Sequence, residues 1–231
     1  MTIHANNLLP MISLFADLDA EKTNEIGTFC DWQRIEKGAE VISQKQQSND
    51  VYFVMEGRVA AKGYSHEGKE VTYAEIAKGE IFGEFSAIDQ EPRSSSIEAL
   101  EDSFLARMSS NEFRKLLVQF PQVGLRLAEL LVAKNRAVTS RMFEFSTMAV
   151  SQRICAELLR MLENSESGES SGLIAPAPSH YEIATRLSTH REAVSKELAN
   201  LARAGILKSG RKTIEILDEN RLRQMTSYDF K

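Results

Sequence analysis

Two cysteines and four histidines in 231 residues are too few for most of what those side chains build. Cys30 and Cys155 stand far apart and make neither a disulfide framework nor a thiolate metal set. Cys155 sits in an apolar helical run, where a small buried side chain is the plain reading. The histidines are scattered singly, so no metal site is expected. Long apolar runs are also missing. The N-terminal MTIHANNLLPMISLF lacks a basic region followed by an apolar stretch, and no later run could span a bilayer. The expectation is a cytoplasmic chain with no membrane segment. No serine has a base in a recognisable frame and no acid has a paired acid, so catalysis is not expected. What is present, 26% charged and 42% hydrophobic residues, is the balance of an ordinary soluble protein with room for one large or two modest domains.

Charge is unevenly placed. Residues 1–149 carry 16 Lys+Arg against 22 Asp+Glu, whereas residues 150–231 carry 12 against 11. Within the second part, residues 180–212 hold seven bases and three acids. The acidic total argues weakly against nucleic acid and the basic patch argues for it. The patch prevails, because phosphates respond to the nearby field while salt screens remote charge.

From about residue 29 to 108 the chain reads as short alternating runs broken by glycine. Val51, Phe53 and Met55 alternate, and Gly57, Gly63, Gly68, Gly79 and Gly83 give turn signals. SSIEALEDSFLARMS continues the rhythm, with Ile97 and Ala99 and then Phe104, Ala106 and Met108. Strands at this spacing indicate an antiparallel sandwich or barrel of jelly-roll type. The period then changes. SSNEFRKLLVQFP is a short serine-capped helix stopped at Pro121, and from Gln122 to about Met148 only Gly124 interrupts a second helix. Such a helix extends roughly 40 Å. Leu127, Leu131, Val138, Phe145 and Met148 form a seam on it, interrupted by Lys134 and Arg141. A partner helix would cover that seam in a homodimer. A helix packed on its own strands is the competing arrangement.

A further helix, AVSQRICAELLRML, leads into a polar loop at 164–172. Beyond it, Ser179 with Glu182 and Thr189 with Glu192 have capping-box spacing, each marking a helix start. Ile183, Ala184 and Leu187 face inward on the first helix, and Val194, Leu198 and Leu201 on the second. That is a helix-turn-helix, with Ser188 where the turn usually holds glycine. ILKS and TIEIL flank GRK as a small hairpin, a wing. Arg191 and Glu192 open the second helix, where a groove-bound helix meets base edges, with Lys196 one turn on and Thr189 and Ser195 beside them. Arginine forks onto guanine and glutamate accepts from cytosine. Arg186, Arg203, Lys208, Arg211 and Lys212 suit phosphates. A solvated face with a Glu192–Lys196 pair is the alternative.

The stretch FGEFSAIDQEPRSSS carries the other signal. Glu84 and Arg93 cannot hold the same anion, so they hold different parts of one ligand or else simply pair with each other. A carboxylate accepts from sugar hydroxyls, while Arg93 and Ser94 donate to a phosphate. Gly83 lets the backbone come close, and Phe85 follows Glu84. One hydroxyl contact and one arginine suit a cyclic monophosphate.

The FGE…PRSS cassette, the glycines at 38, 57, 68, 79 and 83, the long helix and STHREAVSKELANLARAGIL together resemble the cAMP receptor protein family, the CRP/FNR transcription regulators. The resemblance spans nearly the whole chain. It implies an α+β architecture: an N-terminal antiparallel β-roll for a cyclic nucleotide over 1–121, a dimerisation helix over 122–149 and a winged helix-turn-helix for DNA over 150–231. It assigns the ribose 2′-OH to Glu84, the adjoining turn to Gly83, and the phosphate to Arg93 and Ser94. Arg191, Glu192 and Lys196 match the base-reading positions, the last being arginine in the best-known members. The purine contacts fall on Thr139 and Ser140, with Val138 and Thr139 as the competing alignment. The effector implied is cAMP, with cGMP as the alternative, and the partners are double-stranded DNA, a second copy of the chain and RNA polymerase. The family's oxygen-sensing branch uses an N-terminal cysteine cluster, which this chain lacks, and neither Cys30 nor His66 has a paired ligand for haem. A nucleotide-binding regulatory subunit acting on a protein partner is the alternative of a different class, and a constitutive regulator the alternative within this one.

Overall fold

The computed structural model describes residues 9–44, 46–165 and 172–226. The chain divides into two compact units, Met1–Asn135 and Arg136–Lys231.

In the first unit, two short 3-10 turns and helix α1 (Ala20–Gly27) precede eight strands. These are β1 (Cys30–Ile35), β2 (Glu40–Ile42), β3 (Val51–Glu56), β4 (Arg58–Tyr64), β5 (Glu70–Ala77), β6 (Ile81–Phe82), β7 (Ser96–Ala99) and β8 (Ser103–Met108). They form two antiparallel four-stranded sheets, β1-β8-β3-β6 and β2-β7-β4-β5. Strand β3 shows why the sheets pack. Val51, Phe53 and Met55 join Phe15, Ile26, Phe113 and Leu116 in one core, while Tyr52 and Val54 join Ile42, Val59, Ile97 and Leu105 in another. The expected alternation is one face of a strand that is apolar on both, as a layer between helices and a second sheet must be. Gly63 corrects the turn reading. It lies inside β4 opposite Val71, and a Cβ there would collide with the Tyr73 ring, so the position serves close approach and not chain reversal.

Helix α2 (Glu84–Asp89) sits between β6 and β7, and α3 (Ser110–Gln119) follows β8. The Ser109 side chain caps α3 by accepting from the Glu112 amide at 3.3 Å. The chain bends by 111° before α4 (Pro121–Thr147). Pro121 opens α4 and does not merely stop α3, since the first helical position needs no N–H. Among the described residues no single helix is long and apolar enough to cross a membrane.

The seam on α4 is displaced from the expected one. Leu127 is buried in the helix's own β domain with Leu131 packed beside it, and Met148 is buried too. The charges that interrupted the line are explained by the same turn of the helix toward its own chain. Lys134 pairs with Glu84 and Arg141 with Glu157. The opposite side of α4 carries Leu125, Ala128, Val132, Asn135, Thr139 and Met142, spaced alternately three and four apart and all exposed. Val138 and Phe145 of the expected seam are exposed as well.

The second unit continues with α5 (Val150–Glu163), β9 (Leu173–Ile174), α6 (His180–Arg186), α7 (Arg191–Arg203), β10 (Leu207–Gly210), β11 (Thr213–Ile216) and α8 (Glu219–Met225). Ile154, Leu158 and Leu162 of α5 meet Ile183, Leu187, Val194, Leu198 and Leu201 in one core. The β10–β11 hairpin is the expected wing, and β9 adds a third strand to it that the sequence did not announce. Most of the polar loop at 164–172 lies outside the described residues.

Cys155 is buried and Cys30 half-buried. Burial pushes each thiol up to about 12. At about pH 8 only on the order of one thiol in ten thousand is thiolate, the reactive form. A disulfide reagent should therefore leave both unmodified in the native protein and label both in denaturant. Prompt labelling of either in the native state would contradict this.

Candidate functional site

At the end of β6 the chain turns through Gly83, whose φ of 83° lies in the left-handed region. A Cβ at this point would stand 2.6 Å from the Asp50 carbonyl oxygen and 2.9 Å from Arg93 Nη1, so glycine is required on two counts. Glu84 then opens α2 with its carboxylate buried, and its Oε1 accepts from Lys134 Nζ at 2.7 Å. Phe85 beside it is about half exposed.

Arg93 is 4% exposed, and among the described residues its hydrogen-bond partners are all neutral groups. Nε and Nη2 donate to Ser48 Oγ at 3.2 and 3.0 Å, Nη2 to the Asp50 carbonyl at 2.9 Å, and Nη1 to the Gly83 carbonyl at 3.1 Å. The Asp50 carboxylate is turned instead to Arg107, at 3.7 Å. No carboxylate pairs with Arg93 among the described residues, and Glu84 is engaged by Lys134, so the two do not form a simple loop salt bridge. Burial pushes the guanidinium below its usual value. A buried cation held only by dipoles recovers its lost solvation when an anion arrives. Ser94 follows with its side chain exposed. Tyr52 stacks on Phe82 at 4.9 Å beneath the turn. Ser48, Asp50 and Lys134 are members of this site that the sequence reading missed. Lys134 had a signal, as a charge in an apolar seam, whereas Ser48 and Asp50 had none.

Thr139 is exposed on the outer stripe of α4, and Ser140 next to it is half-buried.

In the second unit, α6 and α7 make the helix-turn-helix. Ser179 accepts from the Glu182 amide and Glu182 returns the bond to the Ser179 amide, the expected capping box. Ser188 takes the turn at φ 51°, doing the work of the usual glycine. The second capping box does not form. The Thr189 amide folds back to the Ala184 carbonyl at 3.0 Å, so α7 starts one residue later with His190 as an N-cap that supplies no side-chain bond. Replacing His190 by Ser should therefore stabilise the protein by about 1 kcal/mol. Denaturant melts of the two proteins would show it, and an unchanged midpoint would count against the missing cap.

Arg191, Glu192 and Lys196 are all exposed, and among the described residues no ion pair joins Glu192 to Lys196. Thr189 and Ser195 are half-buried. The Ser195 Oγ lies 2.7 Å from His180 Nδ1 and so ties α7 to α6. Lys208, Arg211 and Lys212 project from the wing, with Lys212 at φ 61° in its tip. Arg186 does not join them. Its side chain is 13% exposed and pairs with Glu157, so it is an internal residue and not a phosphate contact.

A cyclic nucleotide-binding domain model matches residues 32–120, and a Crp-like helix-turn-helix domain model matches residues 152–225. The cyclic AMP receptor protein of Thermus thermophilus is 28% identical over 203 residues, 88% of this chain and 91% of that protein. The transcriptional regulator SdrP of the same organism is 30% identical over 174 residues, 75% of this chain and 82% of its own length. The structure of FixK2 from Bradyrhizobium japonicum superposes with a TM-score of 0.76 at 22% identity, covering 87% of this chain and 98% of that one. With a nucleotide-binding β-roll followed by a DNA-binding helix-turn-helix, the chain belongs to the CRP/FNR family of transcription regulators.

Proposed function

We propose that this regulator is gated by cAMP and binds near-palindromic operators as a homodimer. The observation that carries the reading is Arg93, a buried guanidinium held by a hydroxyl and two carbonyls and, among the described residues, paired with no carboxylate. A singly charged cyclic phosphate supplies that charge, accepting from Arg93 and from the exposed Ser94 hydroxyl. The Glu84 carboxylate accepts from the ribose 2′-OH, and Lys134 fixes its direction. Thr139 and Ser140 contact the purine. A relative named for cyclic AMP reception over 91% of its length favours cAMP above cGMP.

Residues 1–121 then form the effector domain, 122–149 the dimerisation helix and 150–231 the DNA-reading domain. The exposed heptad stripe from Leu125 to Met142 is the face a second copy covers. Arg191, Glu192 and Lys196 read bases, with Thr189 and Ser195 supporting them. RNA polymerase is the partner through which a DNA-bound regulator in the cytoplasm acts, and no catalytic activity is assigned. Titration calorimetry with cAMP and with cGMP, followed by duplex binding with each, tests the reading. Heat from cAMP and tighter DNA binding in its presence are expected. No heat from either nucleotide, with DNA binding unchanged, would establish a constitutive regulator.

A further inference from the structure

Beyond Asn135, α4 carries Arg141 and Glu144, and both are drawn into a half-buried cluster of charge in the second unit. Glu157 of α5 is 3% exposed and accepts from three arginines: Arg141 of α4 at 3.1 Å, Arg160 of its own helix at 3.1 Å and Arg186 of α6 at 3.4 Å. Arg160 reaches back to Glu144 of α4 at 2.6 Å. One carboxylate thus joins three helices.

The arginines also hold backbone. Arg141 Nη1 donates to the Arg186 carbonyl and Arg153 Nη1 to the Leu187 carbonyl, each at 3.2 Å. These carbonyls end α6, where a helix has acceptors without intrahelical partners and the negative end of its dipole. The next residue is Ser188, in the left-handed turn that leads to α7. Arg153 in addition lies over the Phe145 ring at 5.0 Å, a third tie between α4 and α5.

We propose that Glu157 is a positioning residue for DNA reading: with Arg141 and Arg153 it clamps the last turns of α4 to the turn that launches the recognition helix. The proposal rests on the DNA-binding reading of α7. Three arginines face two glutamates here, so removing the Glu157 charge leaves three cations around one carboxylate, and the clamp opens instead of relaxing in place. A shift at the end of α4 is passed to α7 through these bonds, and the α4–α5 joint is held rigid by them.

The test uses the full chain and the duplex that the parent protein selects from a random-sequence library, with a scrambled duplex beside it. Glu157→Gln keeps the shape and loses the charge. It should weaken binding to the selected duplex roughly 3- to 30-fold while changing the scrambled duplex by no more than about twofold. Arg141→Ala should do the same, and the double variant should be no worse than either alone. Arg141→Lys, which keeps a charge near Glu157 but cannot fork to the Arg186 carbonyl, should lose less in the same direction, and it serves if Glu157→Gln does not fold. Equal losses on both duplexes, or additive losses in the double variant, would mean a merely structural salt bridge and overturn the proposal. Amide exchange gives a readout without DNA: in Glu157→Gln the amides from Ser188 to Arg191 should exchange about tenfold faster, with Leu158 in the core unchanged. Unchanged exchange at that turn would also overturn it. Should the parent select no duplex, the DNA reading falls and the exchange result alone decides the clamp.

Discussion

Arg93→Ala is expected to weaken cAMP binding by roughly 100-fold or more while the β domain stays folded. A hydrogen bond to a charged group contributes about 1.5–3 kcal/mol, and a guanidinium can offer a phosphate two of them. Under the proposed reading the ligand supplies the charge that Arg93 lacks: Arg93 is buried, and the Asp50 carboxylate near it is directed to Arg107. Alanine would leave the Ser48 hydroxyl and the Gly83 and Asp50 carbonyls without their guanidinium partner, a loss confined to polar groups that the two sheets do not depend on for their strand pairing. Calorimetry of the variant against the parent, with far-ultraviolet dichroism to check the fold, measures both effects. An unchanged dissociation constant for cAMP would move the phosphate site away from this turn.

The legible parts of this chain are those whose causes are local. Gly83 and Arg93 could be paired from the sequence because a left-handed turn needs glycine, and a lone arginine beside serines in a short loop needs a reason. The capping box at Ser179 was legible for the same cause, since all its atoms lie within four residues. Where distant chain decides, local spacing is silent. Helix α4 has two apolar lines, through Leu127 and through Leu125, and periodicity cannot tell which one its own β domain will cover. Ser48 and Asp50 join the site only because the loop before β3 folds back over residues more than forty positions away. Thr189 and Glu192 had the right spacing, but the left-handed Ser188 takes one residue out of the helix and moves its start to Arg191. Arg186 looked like a surface base until Glu157, 29 residues earlier, claimed it.

Replacing Arg191 and replacing Lys208 should separate reading from positioning. Arg191 stands exposed in the first turn of α7, where side chains of a groove-bound helix meet base edges. Lys208 projects from the wing strand β10, at a position suited to a phosphate. Arg191→Ala should cost about 1–3 kcal/mol for each half-site on the selected duplex and relax the demand for guanine there. In a dimer both half-sites lose, so the combined fall is expected to reach roughly 30-fold to about twenty-thousandfold. Lys208→Ala should weaken all duplexes alike and reduce the salt slope by about one unit for each phosphate it no longer neutralises. Binding of both variants to a panel of duplexes at two salt concentrations makes the comparison. A uniform loss for Arg191→Ala with base preferences intact would show that Arg191 only holds the backbone, and would pass the reading of sequence to Glu192, Lys196 or the wing.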